Sequence, residues 1–185
     1  MGKVVATEFI TLDGVFEDPG GQHGGRGGWA FQYDRGEAGN QFKSEELMAA
    51  DAQLLGRVTY EGFAAAWPNM KDDEFGARMN SMPKYVVSST LQSAGWENST
   101  IISGALESEI PAIAERHAGD ILIAGSGQLV RGLLAADLLD EIRLMVYPVL
   151  LGGGARLFGE TDAPKGLSLQ DVRAAGDTAI LVFGR

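Results

Sequence analysis

Three short apolar runs, each ending in a glycine- or serine-rich junction, constrain this chain more than any other feature. Ala52-Gln53-Leu54-Leu55 runs into Gly56-Arg57-Val58-Thr59, and Tyr85-Val86-Val87 into Ser88-Ser89-Thr90. Ile121-Leu122-Ile123-Ala124 runs into Gly125-Ser126-Gly127-Gln128. Such runs read as strands buried on both faces, the habit of parallel sheets. Parallel strands finish on a common edge, so the three junctions are predicted to line one crevice. The first and third lead straight into helix-like segments, which sets glycine and backbone N–H groups at helix N-termini. Those are anion sites. A dinucleotide carries enough anionic parts to engage all three.

Composition narrows the partners. At 185 residues the chain is predicted to be one domain, 1–185, able to bury a core without a staple. Its formal charge of −10 argues against nucleic acid and anionic membrane surfaces. A phosphate site must then be built locally, from amides and a few cations such as Arg57. There is no cysteine, hence no thiol nucleophile, disulfide or Cys-ligated metal. His23 and His117 lack metal-ligand spacing, so no metal site is expected. His23, in a glycine-rich stretch, is expected to be exposed and inert. The apolar stretch Leu144-Met145-Val146-Tyr147-Pro148-Val149-Leu150-Leu151 is too short to span a bilayer, and no secretory pattern opens the chain. A soluble, cytoplasmic protein is the expectation.

Along the chain, 4–10 alternates as a strand and ends at the turn Leu12-Asp13-Gly14. The stretch Pro19 to Gly28 has six glycines in ten residues and is followed by Trp29, Phe31 and Tyr33. It reads either as a linker or as a mobile lid that closes over a flat ring. Helices are predicted over 41–50, 59–67, 72–82, 107–117 and 129–136, with strands at 52–55, 84–88, 100–102 and 121–124. Pro111 is expected near a helix start, where proline is tolerated. A longer strand, 141–149, precedes Gly152-Gly153-Gly154, and 167–174 and 178–183 form an antiparallel pair turning at Gly176-Asp177. The sum is an α/β fold with about eight strands in one mostly parallel sheet. Trp67, Trp96 and Phe158 are assigned to the core.

Taken in order, these motifs resemble the dihydrofolate reductase superfamily, and most closely the reductase domain of riboflavin biosynthesis and its stand-alone relatives. The resemblance is carried by Leu12-Asp13-Gly14, by Asp51-Ala52 with Leu55-Gly56-Arg57-Val58-Thr59, and by Lys84-Tyr85-Val86-Val87-Ser88-Ser89. It continues in Ala124-Gly125-Ser126-Gly127, Asp140-Glu141-Ile142-Arg143-Leu144, Pro148-Val149-Leu150-Leu151-Gly152-Gly153-Gly154 and Leu157-Phe158. It implies a three-layer dihydrofolate reductase-like fold, with helices on both faces of an eight-stranded sheet that closes in an antiparallel C-terminal hairpin. It also implies NADPH as cofactor and a small heterocycle as substrate, such as 5-amino-6-(5-phosphoribosylamino)uracil or a pterin. By position, Gly56, Arg57 and Thr59 would meet the cofactor's phosphates, Ser88 and Ser89 the adenosine side with its 2′-phosphate, and Gly125, Ser126, Gly127, Gln128 and Leu129 the pyrophosphate. Homodimerisation is implied too, with the strand 141–149 as the contact. Where the riboflavin-type reductases carry a lysine after Leu-Asp-Gly, this chain has Val15.

Hydride transfer needs orientation, exclusion of water and a proton source. Asp13 is the candidate acid, against the alternative that Asp-Gly simply turns the chain. Asp34, Glu37, Glu45 and Glu46 compete for the acid that folate reductases keep on their first helix. Trp29, Phe31 and Tyr147 are candidates for the substrate pocket. The competing class is a non-catalytic nucleotide-binding protein that keeps the crevice and has lost its hydride acceptor site.

Overall fold

The computed structural model describes residues 1–22, 25–160 and 163–185. The apolar runs are strands: β1 (Val4–Thr11), β2 (Ala50–Gly56), β3 (Lys84–Val87), β4 (Ser99–Ile102) and β5 (Asp120–Ala124). Then follow β6 (Glu141–Tyr147), β7 (Ser168–Ala175) and β8 (Thr178–Gly184). They form one eight-stranded sheet in the order β4-β3-β2-β5-β1-β6-β8-β7. Pairing is parallel from β4 through to β6 and antiparallel in β6–β8 and β8–β7. The last hairpin turns on Gly176-Asp177 between the paired Ala175 and Thr178. Gly176 has φ +57°, and a Cβ there would run into the Asp34 carbonyl oxygen. Only glycine serves.

The helices are α1 (Gly36–Ala49), α2 (Arg57–Ala66), α3 (Glu74–Ser81), α4 (Leu106–Glu115) and α5 (Gly127–Ala135). Alternation in β1 divides them between the faces. Val4, Ala6 and Ile10 pack with Ile110 and Ile113 of α4 and with Leu129, Val130 and Leu133 of α5. Val5 points the other way, into a cluster with Leu47 of α1, Tyr60 of α2 and Met79 of α3. A third cluster, at the carboxyl end of β1, gathers Trp29, Met145, Tyr147, Ile180 and Val182 around Phe9.

Local chemistry accounts for departures from the sequence-based bounds. α1 begins at Gly36 rather than near Gln41; its entry is tied to the last hairpin, Asp34 N–H donating to Asp177 Oδ2 and Asp177 N–H to the Asp34 carbonyl. α3 starts late because Asp73 is its N-cap, accepting from Gly76 N–H at 2.7 Å. Pro111 lies inside α4 rather than near its start. It removes one i→i−4 bond, and it is exposed, as is Glu107, so the freed carbonyl meets water. Phe158 is 40% exposed, not core. β6 ends at Tyr147 and is paired on both edges, by β1 and β8, so no edge of it is left for a second molecule.

Candidate functional site

Strands β3, β2, β5 and β1 are neighbours and parallel, so Val87, Gly56, Ala124 and Thr11 finish on one edge of the sheet. Two of the three junctions there are clasped together. Gly56 N–H donates to Ser126 Oγ at 2.8 Å, and Ser126 N–H donates to Thr59 Oγ1 at 2.9 Å. Gly125 and Ser126 both take the left-handed conformation, at φ +64° and +59°. A Cβ on Gly125 would lie 3.1 Å from Thr59 Oγ1, so the turn is built for a residue without one. The clasp sets the N-termini of α2 and α5 side by side. Neither has a side-chain cap, so the first-turn amides of two helices converge where an anion would be held.

The other residues expected to bind the cofactor are distributed less evenly. Arg57, the first residue of α2, is half-exposed and pairs with Glu61 at 2.9 Å one turn on. Gln128 is exposed at the start of α5. Leu129 is buried in the core, so only its N–H is available to a ligand. Gly127 is tightly packed: a Cβ there would fall 2.2 Å from the tip of the Phe16 ring. Phe16, in the loop after β1, thus covers the first residue of α5. The third junction stands apart from the clasp. Ser88 Oγ accepts from the N–H groups of Thr90 and Leu91 at 3.2 and 2.9 Å, a serine turn, and Ser89 follows it at the surface.

Asp13 is fully engaged. Its Oδ1 accepts from Thr11 Oγ1 at 2.6 Å and from Leu151 N–H at 3.2 Å, and its Oδ2 from Gly152 N–H at 2.8 Å. The Thr11 hydroxyl, followed by the Gly152 amide, lowers its pKa from 3.8 to about 2. A carboxyl so acidic is ionised at neutral pH and is a poor proton donor. This geometry favours the turn role, as a tie between the β1 loop and the segment after β6. Of the competing acids, Glu37 and Glu45 lie on the outer side of α1, and Asp34 accepts from Gly36 N–H at 2.7 Å beside the last hairpin. Glu46 is buried, held by the Thr7 hydroxyl at 2.8 Å and paired with Lys43 and with Arg143.

Trp29 and Tyr147 form a closed aromatic core. Their rings meet edge to face at 5.3 Å, with Phe9 and Tyr33 also against Tyr147, and Trp29 Nε1 donates to the Glu17 carbonyl at 2.9 Å. Both are buried, so neither ring is presented to solvent. Phe31 is the opposite, 81% exposed. The glycine-rich stretch is drawn shut at its base: Gly21 and Gly28 N–H both donate to the Asp18 carbonyl, at 3.1 and 2.9 Å. His23 lies outside the described residues.

Three features escaped the reading of the sequence. Phe16 is one. The second is Phe9, with Lys43 Nζ 5.1 Å and Arg35 Cζ 5.7 Å from its ring centroid, two cation–π contacts beside the end of β1. The third is Glu8, 3% exposed, whose Oε2 accepts from Gly125 N–H at 3.0 Å. The signal for Glu8 was in plain sight: the period of two assigns it to the core face of β1 with Ala6 and Ile10.

A sheet with this strand order, its reversed last pair and its two helical layers define a protein of the dihydrofolate reductase-like fold. Residues 2–181 match the RibD C-terminal domain family, and the chain belongs to it. It is 26% identical over 183 residues to the uncharacterized protein YwjB of Bacillus subtilis (strain 168), covering 99% of this chain and 98% of that one. A protein assigned to riboflavin biosynthesis from Shewanella sp. PV-4 superposes with a TM-score of 0.78 at 21% identity, over 100% of this chain and 99% of the other. The dihydrofolate reductase of Enterococcus faecalis, in complex with NADP(H) and RAB-propyl, gives 0.58 at 18% identity, over 100% and 96%. Among the described residues, no helix is long and apolar enough to cross a membrane.

Proposed function

We propose that this protein is an NADPH-dependent reductase of a small heterocyclic substrate, of the 5-amino-6-(5-phosphoribosylamino)uracil or pterin kind. The observation that carries the reading is the Gly56–Ser126–Thr59 clasp, which joins two uncapped helix N-termini at the end of a parallel sheet. Bound there, the dinucleotide would supply the hydride. The chain's own residues hold and orient it. The α5 amides of Gly127, Gln128 and Leu129 and the α2 amides suit its pyrophosphate. Arg57 leaves Glu61 for a phosphate, an exchange that costs little because both side chains are half-exposed. Ser89 and the Ser88 turn suit the adenosine side. Phe16 excludes water from the start of α5.

Membership of the RibD C-terminal domain family supports reductase chemistry. One observation favours the competing reading, a nucleotide-binding protein without turnover. The carboxyls of Asp13 and Glu46 are tied up, Asp34, Glu37 and Glu45 stand outside the crevice, and Trp29 and Tyr147 are closed into the core. Titration with NADPH and with NADH, followed by tryptophan fluorescence, tests the crevice. We expect a preference for NADPH and a loss of about tenfold or more in Arg57→Ala, the scale of one charge-assisted phosphate contact. Absence of binding of either dinucleotide overturns the reading. Oxidation of bound NADPH by pyrimidines, pterins or quinones then separates an enzyme from a binding protein.

A further inference from the structure

Glu8 is a carboxyl group in the wrong place for a purely structural acid. It projects from the middle of β1 onto the face that packs α4 and α5, in register with Ala6 and Ile10. One oxygen, Oε2, serves the turn by accepting the Gly125 amide at 3.0 Å. The other, Oε1, is buried and has no hydrogen-bond partner among the described residues. Buried polar atoms nearly always have partners, and one left over next to a ligand-binding turn is most simply explained by a ligand.

We infer, resting on the dinucleotide reading above, that Glu8 is a binding residue whose Oε1 donates a hydrogen bond to the ligand lying across the Gly125–Ser126 turn. The turn's own donors make the assignment specific. Gly125 N–H is spent on Glu8 Oε2 and Ser126 N–H on Thr59, so a ligand acceptor arriving here meets the carboxyl, not these amides.

To donate, Glu8 must be protonated, and its surroundings favour that. Burial pushes its pKa well above 4.5, more strongly than Lys43 and the Gly125 amide draw it down, and the Glu46 charge adds to the rise. Two charged groups act on it among the described residues. Lys43 and Glu46 of α1, paired with each other, act on it through the sheet from the opposite face, where both bond Thr7. Arg143 of β6 is level with Thr7, not Glu8, so it belongs to that opposite face, where it is committed to Glu46, Asp120 and Glu141 at 3.5, 2.8 and 2.7 Å. The β5–α5 turn contributes the Gly125 amide, and the next amide of that turn is held by the neutral Thr59 hydroxyl. Ionised, Glu8 would lose its donor and confront the phosphates with a like charge. Affinity should therefore fall as pH rises.

The test is NADPH titration of the full chain by tryptophan fluorescence across the whole pH range over which the protein stays folded, with urea unfolding of the cofactor-free protein alongside. Wild-type affinity is expected to drop by about tenfold or more from the acid to the alkaline end. Glu8→Gln keeps an acceptor for Gly125 and an N–H in place of the O–H. It should bind within about threefold of wild type at the acid end and hold that value throughout. Glu8→Leu, without a donor, should be weaker by about tenfold at every pH. In the cofactor-free protein the raised pKa makes the contribution of Glu8 to stability greatest below 4.5 and lost as pH climbs through the folded value; Glu8→Gln should abolish that loss. Wild type that binds with no pH slope, or a Glu8→Gln protein that keeps the slope, overturns the role of Glu8 and leaves the dinucleotide reading standing. Failure to bind NADPH at any pH overturns the reading and the inference with it.

Discussion

Lys84 is fully buried, and nothing in its sequence context announced it beyond the opening of a strand. Its ammonium donates to the carbonyls of Asn80, Met82 and Glu97 at 2.6, 2.8 and 3.0 Å and sits 4.2 Å from the Trp96 ring centroid. One side chain thus joins the end of α3, the start of β3 and the loop that leads to β4. Burial pushes its pKa down from 10.5 to about 8, against the pull of Glu97. The sign follows from proton counting. Between those values the unfolded chain holds the proton more tightly than the folded one, so this group adds stability as pH rises through the window. Lys84→Met would strand three buried carbonyls, at a net cost of about 2 kcal/mol near neutral pH. Its deficit against wild type should widen between about pH 7.5 and pH 10, as wild type gains and the variant does not. Urea unfolding at both pH values measures this; a constant deficit would mean that Lys84 does not titrate in the folded protein.

At the scale of elements, the β5–α5 turn carries the most weight. Gly125→Ala forces an alanine to φ +64°, costing about 1–2 kcal/mol. It also pushes on Thr59 Oγ1, which holds the Ser126 amide, so NADPH affinity should fall with stability. Gly152 supplies the control. It has φ +71° with nothing among the described residues within 4 Å of the place a Cβ would take, so Gly152→Ala should carry the strain alone and leave NADPH affinity unchanged. Equal effects on affinity from both substitutions would remove the clasp from the site. These elements also mark how far the sequence could be read. Strands, the terminal hairpin and the junctions were legible because hydrophobic period and glycine chemistry act within a few residues. The clasp was not, since Gly56 and Ser126 are 70 positions apart and meet only through the parallel crossover. The choice between the two readings of Asp13 was hidden for the same reason: its partners Leu151 and Gly152 are remote in sequence, and they favour the tie over the acid. Helix starts slipped where a capping residue, Asp73, or a tertiary contact, Asp34 with Asp177, set the boundary.

For the whole molecule, the sheet is covered unevenly. Helices α4 and α5 pack over β1, β2 and β5, but toward the antiparallel end Ile142 and Leu144 of β6 and Leu181 and Phe183 of β8 floor a shallow cavity. Phe158, Leu167 and Lys165 rim it. Because β6 has no free edge, a homodimer contact in this region would have to form through the face, and we propose this surface for it. Each protomer carries a formal charge of −10, so association must be apolar in origin and opposed by long-range repulsion. Added salt screens the repulsion and strengthens apolar contact, so dimerisation should tighten with ionic strength, the reverse of an interface built on ion pairs. Light scattering at micromolar protein should return twice the protomer mass. Phe158→Lys, an exposed position whose loss leaves the buried clusters intact, should shift the mass toward the monomer and leave the melting temperature of the monomer near that of wild type. A wild-type monomer at every salt concentration would remove the dimer, while a dimer indifferent to Phe158→Lys would move it to another surface, with the free edges of β4 and β7 next in line.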